Sequence, residues 1–458
     1  MTSTLYCLLF LLSSLGLLRT SDSCTIGDAD ALLRFMNAVN TTSLKKGWDL
    51  SNSHGSCCDW EGVTCDSVSA QIVGISLSNK GLHGRLSQGL ANIPSLQVLN
   101  VSNNDLYGPL PQDLSTLSSL HTLDVSNNQF SGQLSDVLVN FSSLQVLNVY
   151  RNRFNGSLPS SSSSRNMTHL RLFLASHNDL SGDLPFHLCQ TAPFLQEMDL
   201  SSNNFSGTLA NGMGFCGSLQ ALDLGDNNLV GNLPRDLYNL TLLTMLRLTR
   251  NNFDGELHNA IGNLINLTHL MLDYNNFTGQ LPPNLSSCTN LKVFTANANK
   301  FNGSLDVVRF HQFSMLENLD LNSNAFVGSI PPSIALKSIN FAKNKLSGEI
   351  PSSLYRLKNL TTLLLSSNNF NGSIRSLDGS EHLVVVILSK NVFNEALPDK
   401  MQGVTNVQVF ALGNIRLFGS IPEWLKNCTK LQVLDLSWNN LSGSIPPWIG
   451  SFPHLFYL

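Results

Sequence analysis

The amino-acid sequence predicts an α/β repeat solenoid: a curved array of about 16 units of 24 residues, with a parallel β-sheet on its concave face. Three observations carry that prediction. One apolar-and-asparagine frame recurs along most of the chain, the 458 residues exceed one compact core, and a cysteine cluster sits just ahead of the first frame.

The frame is clearest from Leu96 to Gly108, where Leu96, Leu99 and Val101 alternate with polar positions before Asn104, Leu106 and Gly108, and Pro111 follows. It returns at Leu120 to Gly132 and Leu144 to Gly156, and its asparagine recurs mostly every 24 residues as far as Asn391 and Asn439. The step to Asn344 is 20 residues, and the serine run Ser160 to Ser164 helps stretch the step to Asn178 to 26. Lys80 opens the series in the asparagine slot, and Ile415 interrupts it.

Each position has a physical task. In L-x-x-L-x-L a short strand points its leucines inward and displays the x residues outward. The asparagine turns the chain off the strand, and its amide serves backbone groups that would otherwise lack partners. The apolar residue two places on (Leu106, Phe130, Phe154, Phe205) refills the core, and Gly108 allows a backbone shape that a side chain hinders. One unit cannot bury its own apolar face, so the units must stack.

The N-terminus points to secretion. Leu5 to Leu18 is almost entirely apolar and is followed by Arg19 and small polar residues. That is too short to span a bilayer but suits a signal peptide over residues 1–23. Cys24, Cys57, Cys58 and Cys65 crowd the start of the mature chain, Cys189 and Cys216 lie about one repeat apart, and Cys288 and Cys428 read as unpaired. Adjacent Cys57 and Cys58 lack zinc-finger spacing, so disulfides are favoured over a metal. With 13% charged residues and a net charge of −4, the chain lacks the basic footprint of a nucleic-acid binder.

Fifteen N-x-S/T sequons are present. Asn100 lies on an expected strand and is set aside. The remaining acceptors are Asn40, Asn140, Asn155, Asn166, Asn204, Asn239, Asn266, Asn276, Asn284, Asn302, Asn359, Asn371, Asn427 and Asn440. The repeat generates this tripeptide by itself, so sequons outnumber glycans.

The full frame, L-x-x-L-x-x-L-x-L-S-x-N-x-L-S-G-x-I-P, resembles that of plant extracellular leucine-rich repeats. The segment Cys57-Cys58-Asp-Trp60-Glu-Gly62-Val-Thr-Cys65 is similar to the N-terminal cap of that family. The resemblance implies a cap over residues 24–66, repeats over 67–458 with the last incomplete, and helices around Asp28 to Val39 closing the first repeat. It also implies pairing of Cys24 with Cys57 and of Cys58 with Cys65.

Within the family, the C-terminal third is most similar to phytosulfokine receptors. The segments that carry this are Phe393 to Pro398, the frame holding Ile415, and Leu431 to Asn439 with Pro447 to Gly450 and Leu455 to Leu458. The Cys189 and Cys216 pair has a counterpart there. The resemblance implies a short sulfated peptide ligand, a co-receptor kinase partner, and ligand contacts at Asn340, Ser366 and Asp435. Leu364 stands where the family has a contacting serine. The chain stops before the island domain, membrane helix and kinase of such receptors, so the expectation is a fragment anchored only through segments it lacks.

The outward positions extend the candidate site without the family. Leu364, Ile387 and Ala411 make an apolar strip on consecutive strands, with polar flanks and Trp438 to its C-terminal side. Tyr150, Arg247, Arg250 and Tyr274 form a second stretch with cations for an anionic ligand, against ordinary surface.

No catalytic constellation appears, and no cofactor or metal is expected. Gly212-Met-Gly214-Phe-Cys-Gly217 matches G-x-G-x-x-G but runs into a strand with no helix to receive a pyrophosphate. Repeated outward Asp residues such as Asp199, Asp223, Asp320 and Asp435 suit structure or ligand binding better than acid–base chemistry. The expectation is therefore a non-enzymatic ectodomain on the extracellular face of the plasma membrane, or secreted, that binds a peptide or protein. The alternative is a receptor-like protein or secreted inhibitor that recognises a pathogen protein and has no kinase.

Overall fold

A computed structural model describes residues 24–41, 47–48, 56–138, 141–158, 167–209, 212–332, 336–356 and 359–458. The expected signal peptide, the sequons at Asn140 and Asn166 and the serine run lie outside these residues.

Helix α1, Ile26–Ala38, begins where the Thr25 hydroxyl accepts from the Asp28 N–H at 3.1 Å. Its Ala29, Leu32, Phe35 and Met36 are buried. Trp48 stacks on Trp60 at 5.3 Å and tilts against Phe35 at 6.3 Å. Disulfides Cys24–Cys57 and Cys58–Cys65 tie this cap together. Strand Val63–Cys65 runs antiparallel to Ile72–Ser76, so the first edge of the main sheet is paired rather than open.

From Ile72–Ser76 onward, one short strand per repeat pairs in parallel with the next, through Val98–Asn100 and Leu172–Leu174 to Val433–Asp435. The middle residue of each three-residue strand points inward and is buried, as Leu99, Phe173, Leu246 and Leu434 show. Short second strands follow the turn in many repeats, for example Asp105–Gly108, Arg153–Ser157 and Asn369–Asn371. Single 3₁₀ turns such as Arg235–Asn239 and Pro283–Ser287 return the chain to the next strand. Phe253, Phe277, Phe301 and Phe326 stack in file at 5.9–6.2 Å, an aromatic spine made by one slot of the frame.

The asparagines lock repeat to repeat. Asn104 donates through Nδ2 to the carbonyls of Leu77, Val101 and Ser102, and its Oδ1 accepts from the Lys80 and Leu82 N–H groups. Asn251 repeats the pattern, donating to Leu224, Leu248 and Thr249 and accepting from Leu229 N–H. One side chain thus serves the backbone of two repeats.

The left-handed turn itself falls one residue earlier than the asparagine. Asn103, Arg151, His177, Tyr274, Lys343 and Trp438 all have φ between +52° and +56°. The slot holds no valine, isoleucine or threonine anywhere from Asn79 to Trp438, because β-branched side chains tolerate this conformation worst. Large side chains are accepted there because the following asparagine holds the backbone.

Ile415 shows what happens when the lock is absent. The Ile415 side chain is fully buried and its carbonyl accepts from Asn394 N–H at 3.2 Å. Asn394 turns to φ +54°, and the Glu395 carboxylate accepts from Ile374 N–H. Asn439 compensates on the other side, its Oδ1 accepting from both Ile415 and Leu417 N–H.

Candidate functional site

The main sheet brings Asn340, Leu364, Ile387, Ala411 and Asp435 side by side on five consecutive strands. Leu364 and Ile387 are half-buried, each with one face open to the concave side. Ala411 differs from expectation. It is 9% exposed, because its short methyl lies in register between the longer Ile387 and Asp435 side chains. The strip therefore has a dip at Ala411 rather than a continuous ridge.

A second apolar row lies beside the first. Val385, Val409 and Val433 follow Thr362 in register and are all half-buried. The strip thus spans four strands and is two residues wide on the middle two, at Val385 with Ile387 and Val409 with Ala411. Reading the outward position two residues before each Leu364-type site would have found it.

Polar groups flank the strip. Asn340 donates to Asp320 at 3.1 Å and accepts from Ala342 N–H at 3.3 Å. Asp435 accepts through Oδ1 from the Ser437 N–H and hydroxyl at 2.9 and 2.6 Å. Ser366 is half-buried two residues beyond Leu364. Trp438 stands apart from this group. It is 88% exposed and lines a 420 Å³ lateral depression with Asn394, Arg416, Phe418, Asn439 and Asn440.

The concave strands carry one sequon, Asn100, whose Oδ1 accepts from the Ser102 N–H and hydroxyl. Asn155, Asn204, Asn371 and Asn440 are exposed on the second strands, and Asn239, Asn284 and Asn427 are exposed on the 3₁₀ turns. Asn40, Asn302 and Asn359 are exposed too, while Asn266 and Asn276 are half-buried. Sugar on the exposed acceptors leaves the strip clear.

The second stretch does not present free cations. Arg247 donates to Asp223 and Asp226 at 3.0 Å each and to the Thr249 hydroxyl at 3.1 Å. Arg250 lies 3.6 Å from Asp226 and 5.0 Å over the Tyr274 ring. Tyr150, four repeats away, packs edge-on against His177 at 5.4 Å. These charges are neutralised within the protein, which removes the attraction for an anion at this place.

Burial pushes the Asp223 and Glu197 carboxyls above the ordinary carboxylate range, and the Asp199 charge beside both adds to it. Both groups bind protons more readily folded than unfolded. Their contribution to stability is therefore fully present below the unfolded value and is lost as pH rises through the raised folded value. As pH falls from neutrality these two carboxyls should add stability while half-buried His121 and His269 take some away, and Glu197→Gln should remove the Glu197 share of the gain. Scanning calorimetry of both proteins at about pH 7.5 and about pH 5 measures it.

Disulfide Cys189–Cys216 joins neighbouring repeats. The Cys288 and Cys428 thiols are free and buried, pushed up to about 12 and about 11 by burial, and they lie 3.3 and 3.6 Å from the Ile261 and Val404 carbonyls. They pack like apolar residues and are inert as nucleophiles. In the G-x-G-x-x-G match, Gly212 N–H is taken by the Asp236 carboxylate, and Met213–Phe215 is a single 3₁₀ turn. Among the described residues no cluster of metal-binding side chains occurs, and no helix is long and apolar enough to cross a membrane.

Comparisons with known proteins agree with this architecture. Residues 26–66 match the leucine rich repeat N-terminal domain. Nine segments match the Leucine Rich Repeat: 95–117, 119–141, 143–164, 194–216, 218–240, 266–288, 315–335, 335–357 and 430–452. Phytosulfokine receptor 1 of Arabidopsis thaliana is 33% identical over 84 residues, 18% of this chain and 8% of that receptor. Receptor-like protein 3 of the same plant is 36% identical over 221 residues, 46% of this chain and 29% of that protein. The chain thus spans under a third of either relative. Among solved structures, the Arabidopsis receptor kinase HAESA in complex with the peptide hormone IDA and the co-receptor SERK1 superposes with a TM-score of 0.72 and 25% identity, covering 95% of this chain and 81% of that one. These matches are to repeat ectodomains that bind ligands, not to catalytic domains.

Proposed function

Because the chain belongs to the leucine-rich repeat proteins, with the N-terminal domain and repeats found in plant receptors, we propose that it is the ligand-binding region of a plant cell-surface receptor. It binds an extended secreted peptide along the concave sheet, on the extracellular side of the plasma membrane. The observation that carries this reading is the two-row apolar strip of Leu364, Ile387, Val385, Val409 and Val433, bordered by Asn340, Ser366 and Asp435. Apolar peptide side chains seat on the strip and the polar border takes the peptide backbone.

The similarity to phytosulfokine receptor 1 supports a phytosulfokine-like sulfated peptide as the ligand, with a kinase outside this chain and a co-receptor kinase completing the signal. The HAESA complex supports the co-receptor by analogy. The second reading is a receptor-like protein that recognises a pathogen protein, and the longer alignment to Receptor-like protein 3 favours it.

Calorimetry with sulfated and unsulfated peptide separates the two. Tight binding of the sulfated form alone supports the first reading, whereas equal or absent binding of both sinks it. Ile387→Asp should weaken binding by about 30-fold, a loss of about 2 kcal/mol at a contact centre, while secretion stays normal. Loss of secretion instead would assign the strip to folding.

A further inference from the structure

At the point where each strand begins, a polar side chain ties one repeat to the one before it. Ser95 donates to the Ile72 carbonyl, Ser218 to Pro193, Asn266 to Thr241, Asn290 to Ile265 and Asn406 to Glu381, all at 2.7–2.9 Å. Three members of this row break the pattern with exposed apolar residues, Phe194 at 56% exposure, Leu242 at 48% and Met315 at 49%, and the last two flank one depression. Folding does not require them, because the small polar alternative is used in the repeats around them.

Leu242 and Met315 bracket Asn266 and Asn290 in successive repeats, across three strand spacings of roughly 14 Å in all. The four line a depression of 450 Å³ together with Gln220, Thr244, Thr268 and Lys292. Asn266 and Thr268 are the two defining residues of one sequon, so the acceptor and its hydroxyl lie inside the depression. The hydrogen bond to Thr241 holds the Asn266 amide in place there.

We infer that Asn266 carries an N-linked glycan and that its first sugars fill this depression. The C–H faces of the sugar rings cover Leu242 and Met315, and ring hydroxyls and the acetamido group meet Thr244, Lys292 and Asn290. In the transfer, the Asn266 amide nitrogen forms a bond to the sugar's anomeric carbon. The lipid pyrophosphate that carried the sugar leaves, and the amide gives up one proton. The inference rests on secretion, and so on the reading above only to that extent.

The test is site-resolved mass spectrometry of the protein secreted from plant cells, followed by hydrogen exchange. Asn266 should be occupied along with exposed Asn155 and Asn284. Asn266→Gln should speed exchange at the strand starts around Leu242 and Met315 by about fivefold, and trimming the glycan to its first sugar should give part of that increase. Enzymatic release of the whole glycan from the folded protein, which leaves a carboxylate in place of the Asn266 amide, gives a second comparison on the mature protein. An empty Asn266 beside occupied Asn155 and Asn284 overturns the inference, as does an occupied Asn266 whose loss leaves exchange unchanged. If none of the three is occupied, the secretory reading fails as well.

Discussion

Asn251→Ala should destabilise the protein by about 1–3 kcal/mol, because the buried Leu229 N–H of the preceding repeat loses its side-chain acceptor. The Asn251 side chain is 7% exposed, takes the Leu229 N–H and shares the Leu224 carbonyl with the Asn227 amide, so the N–H is the group its loss strands. Asn251→Asp should be worse at neutral pH. A carboxylate there faces the Leu224, Leu248 and Thr249 carbonyls with no hydrogen to offer. Protonation restores one donor, so the aspartate variant should recover part of its loss as pH falls. Asn440→Ala, one slot outside the lock and exposed, should change stability by no more than about 0.5 kcal/mol. Urea unfolding measures all three. A loss below about 1 kcal/mol for Asn251→Ala would sink the lock as a main source of stability.

The second large effect is expected from Arg247→Met, at about 3 kcal/mol near neutral pH. Its partner Asp223 has a side chain only 12% exposed, which raises its carboxyl, and the Asp199 carboxylate is close enough to raise it further. Removing the guanidinium leaves that charge nearly buried and without its cation. Arg247 is itself 33% exposed, which keeps the loss at the low end of the range for buried pairs. Asp223 in the variant would escape the problem by staying protonated, so the loss should shrink as pH falls toward about 5. A loss that is the same at both pH values would mean that packing of the arginine stem, not charge, is responsible. Double replacement with Asp223→Asn should recover most of the stability, since the stranded charge is then gone.

Much of the fold was legible because its signal is periodic. The inward leucines, the phenylalanine slot and the asparagines recur every 24 residues, and each position does the same physical work in every unit. Asn104 and Asn251 were expected to serve the backbone, and they do. The left-handed residue was less legible. It is defined by what never appears before the asparagine, namely β-branched residues, and by φ values that a list of residue types does not display.

The candidate site was legible in one row only. Leu364, Ile387 and Ala411 stood out in the sequence, yet the neighbouring valines at 385, 409 and 433 complete the strip, and Ala411 proves to be the floor of a dip. Arg247 and Arg250 read as ordinary surface in preference to an anion site, and their ion pairs stayed hidden because Asp223 and Asp226 lie more than 20 residues earlier in the chain. Trp438 read as standing at the C-terminal side of the strip, and it lines a different depression.

By itself, then, the sequence determined the unit: which residues face inward, where the chain turns, and that many like units must stack to bury a core. The tertiary structure alone decided what stands beside what across 24 residues, including which charges cancel, which apolar residues join into one surface, and that the Asn266 sequon opens into a depression. The physical reason is that alternation and turn chemistry act between near neighbours along the chain. Ion pairing, shared burial and the width of a surface act between strands, and those distances exist only once the register of the stack is set.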